Sequence, residues 1–224
     1  ERRMGLVGDN FSKARVLERL KGRMAIGHNR YSTTGDPLIR NVQPMFCDID
    51  TGGFAVAHNG NLNNALTIRR ELISSGAICH STSDTEVILH LLSRSKKRRV
   101  VERLIDSIRQ VEGSYARVCL TNDMMIGARD PVGIKPLVYY ADAKRFVFAS
   151  EFKALLADPA VPKEIDPEAL DLYLSLNYIP APWTIFRNIR KLRPGHLLTV
   201  HEGTVTESRY WDIAAASSAP CAPA

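Results

Sequence analysis

Helical and strand signals in this chain come in blocks rather than in alternation, and that ordering restricts its architecture more than any other feature. Three amphipathic stretches follow one another. Asn63 or Asn64 caps the first; Ala65, Ile68, Leu72 and Ile73 stripe it, and Gly76 ends it after Ser75. Ser83-x-x-Glu86 reads as a capping box for the second, which runs through Val87, Ile88, Leu91 and Leu92. Val100, Val101, Leu104, Ile105, Ile108 and Val111 stripe the third, which Gly113 stops. Strand signals then crowd together at 115–120, 124–128, 137–140 and 145–149, separated by turn residues such as Asn122-Asp123 and Asp130-Pro131. This order predicts an α+β fold with largely antiparallel sheets.

Outside these blocks, residues 24–28 and 54–58 read as short buried strands, the second preceded by Gly52-Gly53. Residues 152–156 and 167–176 read as helices, with Asp166 as cap and Pro167 at the first helical position. Residues 196–200 and 204–210 form a hairpin pattern around Glu202-Gly203, and the Ala/Ser/Pro-rich stretch 214–224 reads as a tail or linker. A length of 224 residues with 45% hydrophobic content suits one domain, or one and a half, with a sizeable core, and the domain is placed at 1–213. No apolar run approaches a membrane span, and Glu1-Arg2-Arg3 does not open a signal peptide, so neither a membrane nor secretion is expected. Cys47, Cys79, Cys119 and Cys221 show neither metal-ligand spacing nor a disulfide pattern. A reduced, cytoplasmic protein without metal or cofactor is the expectation. The net charge of +6 owes much to Arg94, Lys96, Lys97, Arg98 and Arg99. No aromatic residues interleave that run, so it reads as a solvated link between helices and not as a nucleic-acid surface.

Three polar motifs carry the chemistry: Gly27-His28-Asn29-Arg30-Tyr31-Ser32-Thr33-Thr34-Gly35, His58-Asn59-Gly60-Asn61-Leu62 and Thr82-Ser83-Asp84-Thr85-Glu86. Together they offer a guanidinium, a carboxylate, a side-chain amide and a glycine N–H, a set suited to an α-amino acid whose side-chain carbonyl is to be attacked. Arg30 can clamp a carboxylate bidentately, or tie down a loop. Asp84 can hold an ammonium, or cap the helix beside Ser83, or both. Asn59-Gly60 can form a two-donor oxyanion hole, or an ordinary turn between strands.

These motifs resemble the glutaminase domain of class II glutamine amidotransferases, within the N-terminal-nucleophile hydrolases. Residues 1–138 resemble amidophosphoribosyltransferase through GHNRYSTTG, NVQPMF, AHNGNLNNA, TSDTEVILHLL, EGSYA and GARDPVGIKPL. Residues 139–212 resemble asparagine synthetase (glutamine-hydrolysing) through RFVFASEFKALLADP, IDPEALDLYLSLNYIPAPWTIFRNIRKLRPGH and RYWD. Arg129-Asp130-Pro131-x-Gly133-Ile134-Lys135-Pro136-Leu137 is shared by both, and whether the mixture is a fragment, a natural fusion or a chimera stays open. The resemblance implies a four-layer αββα sandwich over 1–213 and hydrolysis of L-glutamine to L-glutamate and ammonia. It assigns Arg30 to the α-carboxylate, Asp84 to the α-ammonium, and Asn59 and Gly60 to the oxyanion. Thr33 and Thr34 line the pocket; His28 and His58 are structural, because the family's base is the amine of the nucleophile itself.

The chain departs from that family at its front. The family's mature chain begins with cysteine, several tens of residues before the first motif, whereas here Glu1 stands first and the motif starts at Gly27. The expectation is a domain truncated at the N-terminus, lacking its first strand or strands and inactive as given. Cys47, Cys79 and Cys119 read as small hydrophobes, and Cys221 lies in the tail. Neither a phosphoribosyltransferase pyrophosphate segment nor a Ser-Gly-Gly-x-Asp-Ser nucleotide loop is present, so the acceptor domain, in purine or asparagine biosynthesis, is expected elsewhere. Two functions stay open: a glutaminase domain, or a non-catalytic glutamine- or glutamate-binding or regulatory module. The sequence leaves homo-oligomerisation undecided.

Overall fold

The computed structural model describes residues 1–30 and 38–214. The chain divides into two compact units: Glu1–Gly113 with Arg117–Met125, and Ser114–Ala116 with Ile126–Ala224. Two short, mostly exposed helices open the first unit, α1 (Val7–Phe11) and α2 (Ala14–Arg19); the sequence pattern had given no signal for either. Residues 24–28, expected as a buried strand, form no ladder among the described residues and alternate between exposed and half-buried. Apolar content makes such a segment competent for pairing, but a strand exists only where a partner backbone bonds to it.

Strands β1 (Met45–Ile49) and β2 (Gly52–Leu62) pair antiparallel from Met45↔Val56 to Ile49↔Gly52. The first-unit order is β1-β2-β3, where β3 is Gly113–Leu120. β2 is longer than the apolar run 54–58 that announced it, because backbone pairing continues through the polar residues Asn59 to Leu62. Helices α3 (Ala65–Ser74), α4 (Thr85–Arg94) and α5 (Val100–Ile108) bury most of the expected faces: Ala65, Ile68 and Leu72; Val87, Ile88, Leu91 and Leu92; Leu104 and Ile108. Ile73, expected in the first stripe, is exposed, and Val100, Val101, Ile105 and Val111 of the third are only half-buried. The basic residues 96–99 are exposed in the link between α4 and α5. Gly113 is not a helix stop. α5 ends at Ile108, and Gly113 is the first residue of β3.

In the second unit β4 (Met124–Arg129, its first two residues counted with the first unit) is followed in strand order by β8 (His196–His201) and β9 (Thr204–Arg209). The β8–β9 hairpin pairs from His196↔Arg209 to His201↔Thr204 and turns at Glu202-Gly203, as its turn residues predict. A second sheet has the order β6-β5-β7, with β5 at Val138–Ala141, β6 at Phe146–Ala149 and β7 at Ile189–Lys191. Val138, Tyr140 and Ile189 from that sheet pack with Leu155 of α6 (Phe152–Leu156) and with Val161. α7 (Pro167–Leu176) begins where expected: the Asp166 carboxylate accepts from the N–H groups of Glu168 and Ala169, a cap that stabilises the helix by about 1 kcal/mol. The shared Arg-Asp-Pro motif is structural. Arg129 donates to the carbonyls of Lys135, Leu192 and Gly133 at 2.8, 2.7 and 2.6 Å, while Asp130 accepts from Ile134 and Lys135 at 2.9 Å each.

Candidate functional site

The second polar motif lies inside β2, so Asn59-Gly60 is not a turn between strands. Both residues are half-buried. Gly60 has φ 154°, a backbone conformation that L side chains seldom adopt, so this point of the strand favours glycine. The flanking residues are tied to the third motif. The Asp84 carboxylate accepts from the Leu62 N–H at 3.2 Å, and the same oxygen lies 3.7 Å from Nδ1 of the buried His58. Asp84 is 8% exposed and precedes α4, yet its side chain makes no capping bond to that helix. Burial raises its carboxyl pKa, but the His58 ring and the Leu62 N–H outweigh burial and hold it below the usual carboxylate value. Asp84 is therefore an ionised carboxylate placed beside the Asn59–Gly60 strand.

The capping box does not form. The Glu86 carboxylate accepts from the N–H groups of His80 and Ser81 at 2.6 and 3.0 Å and from the Ser81 hydroxyl at 2.8 Å. The Ser83 N–H bonds instead to Ser81 Oγ, and the Ser83 hydroxyl accepts from the Thr85 N–H, each at 3.3 Å. Arg69 of α3 completes the loop, donating to the Ser81 and Ser83 carbonyls at 2.8 and 2.6 Å. Pattern reading missed Arg69 and misassigned Glu86. The useful signal was faint: an arginine next to the buried Ile68, and a glutamate with more than one N–H group within reach.

Arg30 is half-buried at the end of segment 21–30, which forms neither helix nor strand. Its link to the other motifs is electrostatic. Burial first, then the His58 ring and the Arg30 guanidinium, together push His28 down to about 4. Arg30, His28, His58 and Asp84 thus form one electrically coupled series in the first unit. Thr33 and Thr34 lie outside the described residues.

His28 makes stability sensitive to acid. The unfolded ring takes its proton near 6.5 and the folded ring only near 4, so between these values the unfolded chain binds more protons and acid favours unfolding. After allowance for partial solvent exposure, stability should fall by about 2 kcal/mol from pH 7 to pH 4 on this account. His28→Gln should flatten that limb of the profile. Urea denaturation at pH 7 and pH 4.5 measures it, and equal pH slopes in the two proteins would refute it.

The thiols among the described residues are not poised to attack anything. Burial raises the pKa of Cys119 to about 12, and raises those of Cys47 and Cys79 as well. Among the described residues no cluster of three or more His, Cys, Asp or Glu side chains could hold a metal ion.

Comparison with known proteins gives the class. The profile of the family described as "Glutamine amidotransferase domain" matches residues 16–211. The chain belongs to that family, as a class II glutamine amidotransferase domain, and its α+β fold with antiparallel sheets is that of the N-terminal-nucleophile hydrolases. Among curated relatives it is similar to amidophosphoribosyltransferase of Rhizobium etli, at 53% identity over 155 residues, covering 69% of this chain and 31% of that protein. It is also similar to amidophosphoribosyltransferase of Methanothermobacter thermautotrophicus, at 44% identity over 152 residues, covering 67% and 32%. Among solved structures it is similar to the allosteric regulatory enzyme of purine biosynthesis, with a TM-score of 0.73, 30% identity and coverage of 92% of this chain and 39% of that one. The chain spans about a third of the length of the curated relatives it matches.

Proposed function

We propose that this chain is the glutamine-handling domain of an amidophosphoribosyltransferase-like protein, releasing ammonia from L-glutamine for an acceptor domain. One observation carries the reading: the ionised, buried Asp84 is bonded to Leu62 of the strand that bears Asn59 and Gly60. An ammonium acceptor and a pair of amide donors are thereby held by neighbouring backbone. In this reading Arg30 pairs with the α-carboxylate, Asp84 with the α-ammonium, and Thr33 and Thr34 line the pocket. A thiolate attacks the side-chain amide carbon, and the oxygen takes the negative charge toward the Asn59 amide and the Gly60 N–H. Collapse breaks the C–N bond, the nitrogen leaves with a proton as ammonia, and water hydrolyses the thioester to glutamate. None of Cys47, Cys79 and Cys119 suits that thiolate role, so the attacking group comes from outside the described residues. The 53% identity to an amidophosphoribosyltransferase favours a phosphoribosyl acceptor; an asparagine synthetase parent rests on the motifs of residues 139–212 alone. A reducing compartment, the cytoplasm, fits the free thiols.

The raised thiol pKa values favour a second reading, a non-catalytic glutamine- or glutamate-binding module. Titration calorimetry on the 224-residue chain tests both. L-glutamine should bind, D-glutamine should not, and Arg30→Gln should weaken binding. No heat from L-glutamine would end both readings. Ammonia release above a heat-killed control would end the binder.

A further inference from the structure

The segment before β1 carries two buried side-chain amides that no motif role accounts for. Asn41 is fully buried and Gln43 is 7% exposed. Gln43 accepts from the His58 N–H at 2.6 Å and donates to the His58 carbonyl at 3.4 Å. These are the two bonds a neighbouring strand would make. Continuing the β1–β2 register beyond Met45↔Val56 sets position 43 opposite 58, but β1 begins only at Met45. The Gln43 amide therefore continues the ladder in place of backbone, one residue before Asn59-Gly60. Asn41 makes a matching two-point contact with the other motif: it accepts from the Thr82 N–H at 2.9 Å and donates to Thr82 Oγ1 at 2.8 Å.

We infer that Asn41 and Gln43 form a bracket that fixes the spacing between the Asn59-Gly60 strand and the loop bearing Asp84, and so sets the length of amino acid the site accepts. Both are positioning residues. The inference rests on the proposed glutamine site for its ligand, while the bracket itself stands on the four bonds. A site that must hold an ammonium at one end and an amide oxygen at the other discriminates by that distance. Loosening it erodes preference for glutamine over asparagine, which is one methylene shorter.

The test compares binding of L-glutamine and L-asparagine to the 224-residue chain and three variants. Gln43→Met removes both bonds to His58, and the glutamine-over-asparagine preference should fall roughly three- to tenfold. Gln43→Glu keeps the acceptor for the His58 N–H but sets a second acceptor against the His58 carbonyl, so it should lower the preference as Gln43→Met does. Thr82→Val, a milder change on an exposed residue, should lower it about threefold, and decides the matter if Gln43→Met does not fold. A lowered melting temperature with an unchanged preference would overturn the bracket as a specificity device. If the parent chain binds neither amino acid, the functional reading fails and amide chemical shifts decide the bracket alone. Thr82→Val moving the Asn59 and Gly60 amides supports it, and shifts confined to residues 81–85 overturn it.

Discussion

Asp84→Asn should weaken L-glutamine binding by roughly ten- to a hundredfold while leaving the fold in place. The ligand ammonium then meets a neutral amide instead of a carboxylate, and a charge-assisted hydrogen bond contributes about 1.5–3 kcal/mol. The size depends on Asp84 being ionised, and the His58 ring and the Leu62 N–H favour the ionised form despite burial. The asparagine side chain retains an oxygen for the Leu62 N–H, so the strand contact survives and the loss reports on the ligand. The ammonium lies away from the reacting amide and is held alike in ground and transition states. In an assembled, active protein the effect should therefore fall on KM with kcat little changed. Titration calorimetry at pH 7 with a parallel thermal melt checks this. An unchanged Kd would reduce Asp84 to a structural carboxylate for Leu62 and His58.

Gly113→Ala should cost about 3–5 kcal/mol of stability, combining overpacking against backbone with a strained dihedral. A Cβ at position 113 would stand 2.2 Å from the Asn61 carbonyl oxygen and 3.1 Å from Leu62 Cα, and Gly113 has φ +137°. Both obstacles are backbone, which cannot swing aside as a side-chain tip can. A loss of that size is a large share of the roughly 5–15 kcal/mol that keeps an ordinary domain folded. One of the displaced residues, Leu62, is the one whose N–H reaches Asp84, so glutamine affinity should fall with stability. Urea denaturation checks this through a lower midpoint at unchanged slope. A loss below about 1 kcal/mol would mean that β2 and β3 separate easily here.

The contrast between Gly113 and Asp166 shows where sequence reading reaches its limit. Asp166 with Pro167 caps α7 through N–H groups two and three residues away, and a contact that local is written in the sequence. The same holds for the stripe of α4, where helical period alone brings Val87, Ile88, Leu91 and Leu92 to one buried face, and for the turn at Glu202-Gly203. Gly113 looked like a helix stop because glycine often is one, yet its reason lies 52 residues back, at Asn61. Glu86 fitted a capping box, but the N–H groups of His80 and Ser81 claimed its carboxylate first. Residues 24–28 had the apolar content of a strand and no ladder formed there. The chemical groups of the candidate site were likewise legible: Arg30, Asn59, Gly60 and Asp84 offer a guanidinium, an amide, a glycine N–H and a carboxylate wherever they sit. Their company was not. That Asp84 bonds to Leu62, that Gln43 stands in for a strand at His58, and that Arg69 threads the loop at Ser81 and Ser83 are pairings between distant segments. Sequence determined what forms by local period and turn chemistry; tertiary structure alone decided which polar group answers which, because a buried donor or acceptor bonds to whatever partner the packed chain brings within reach.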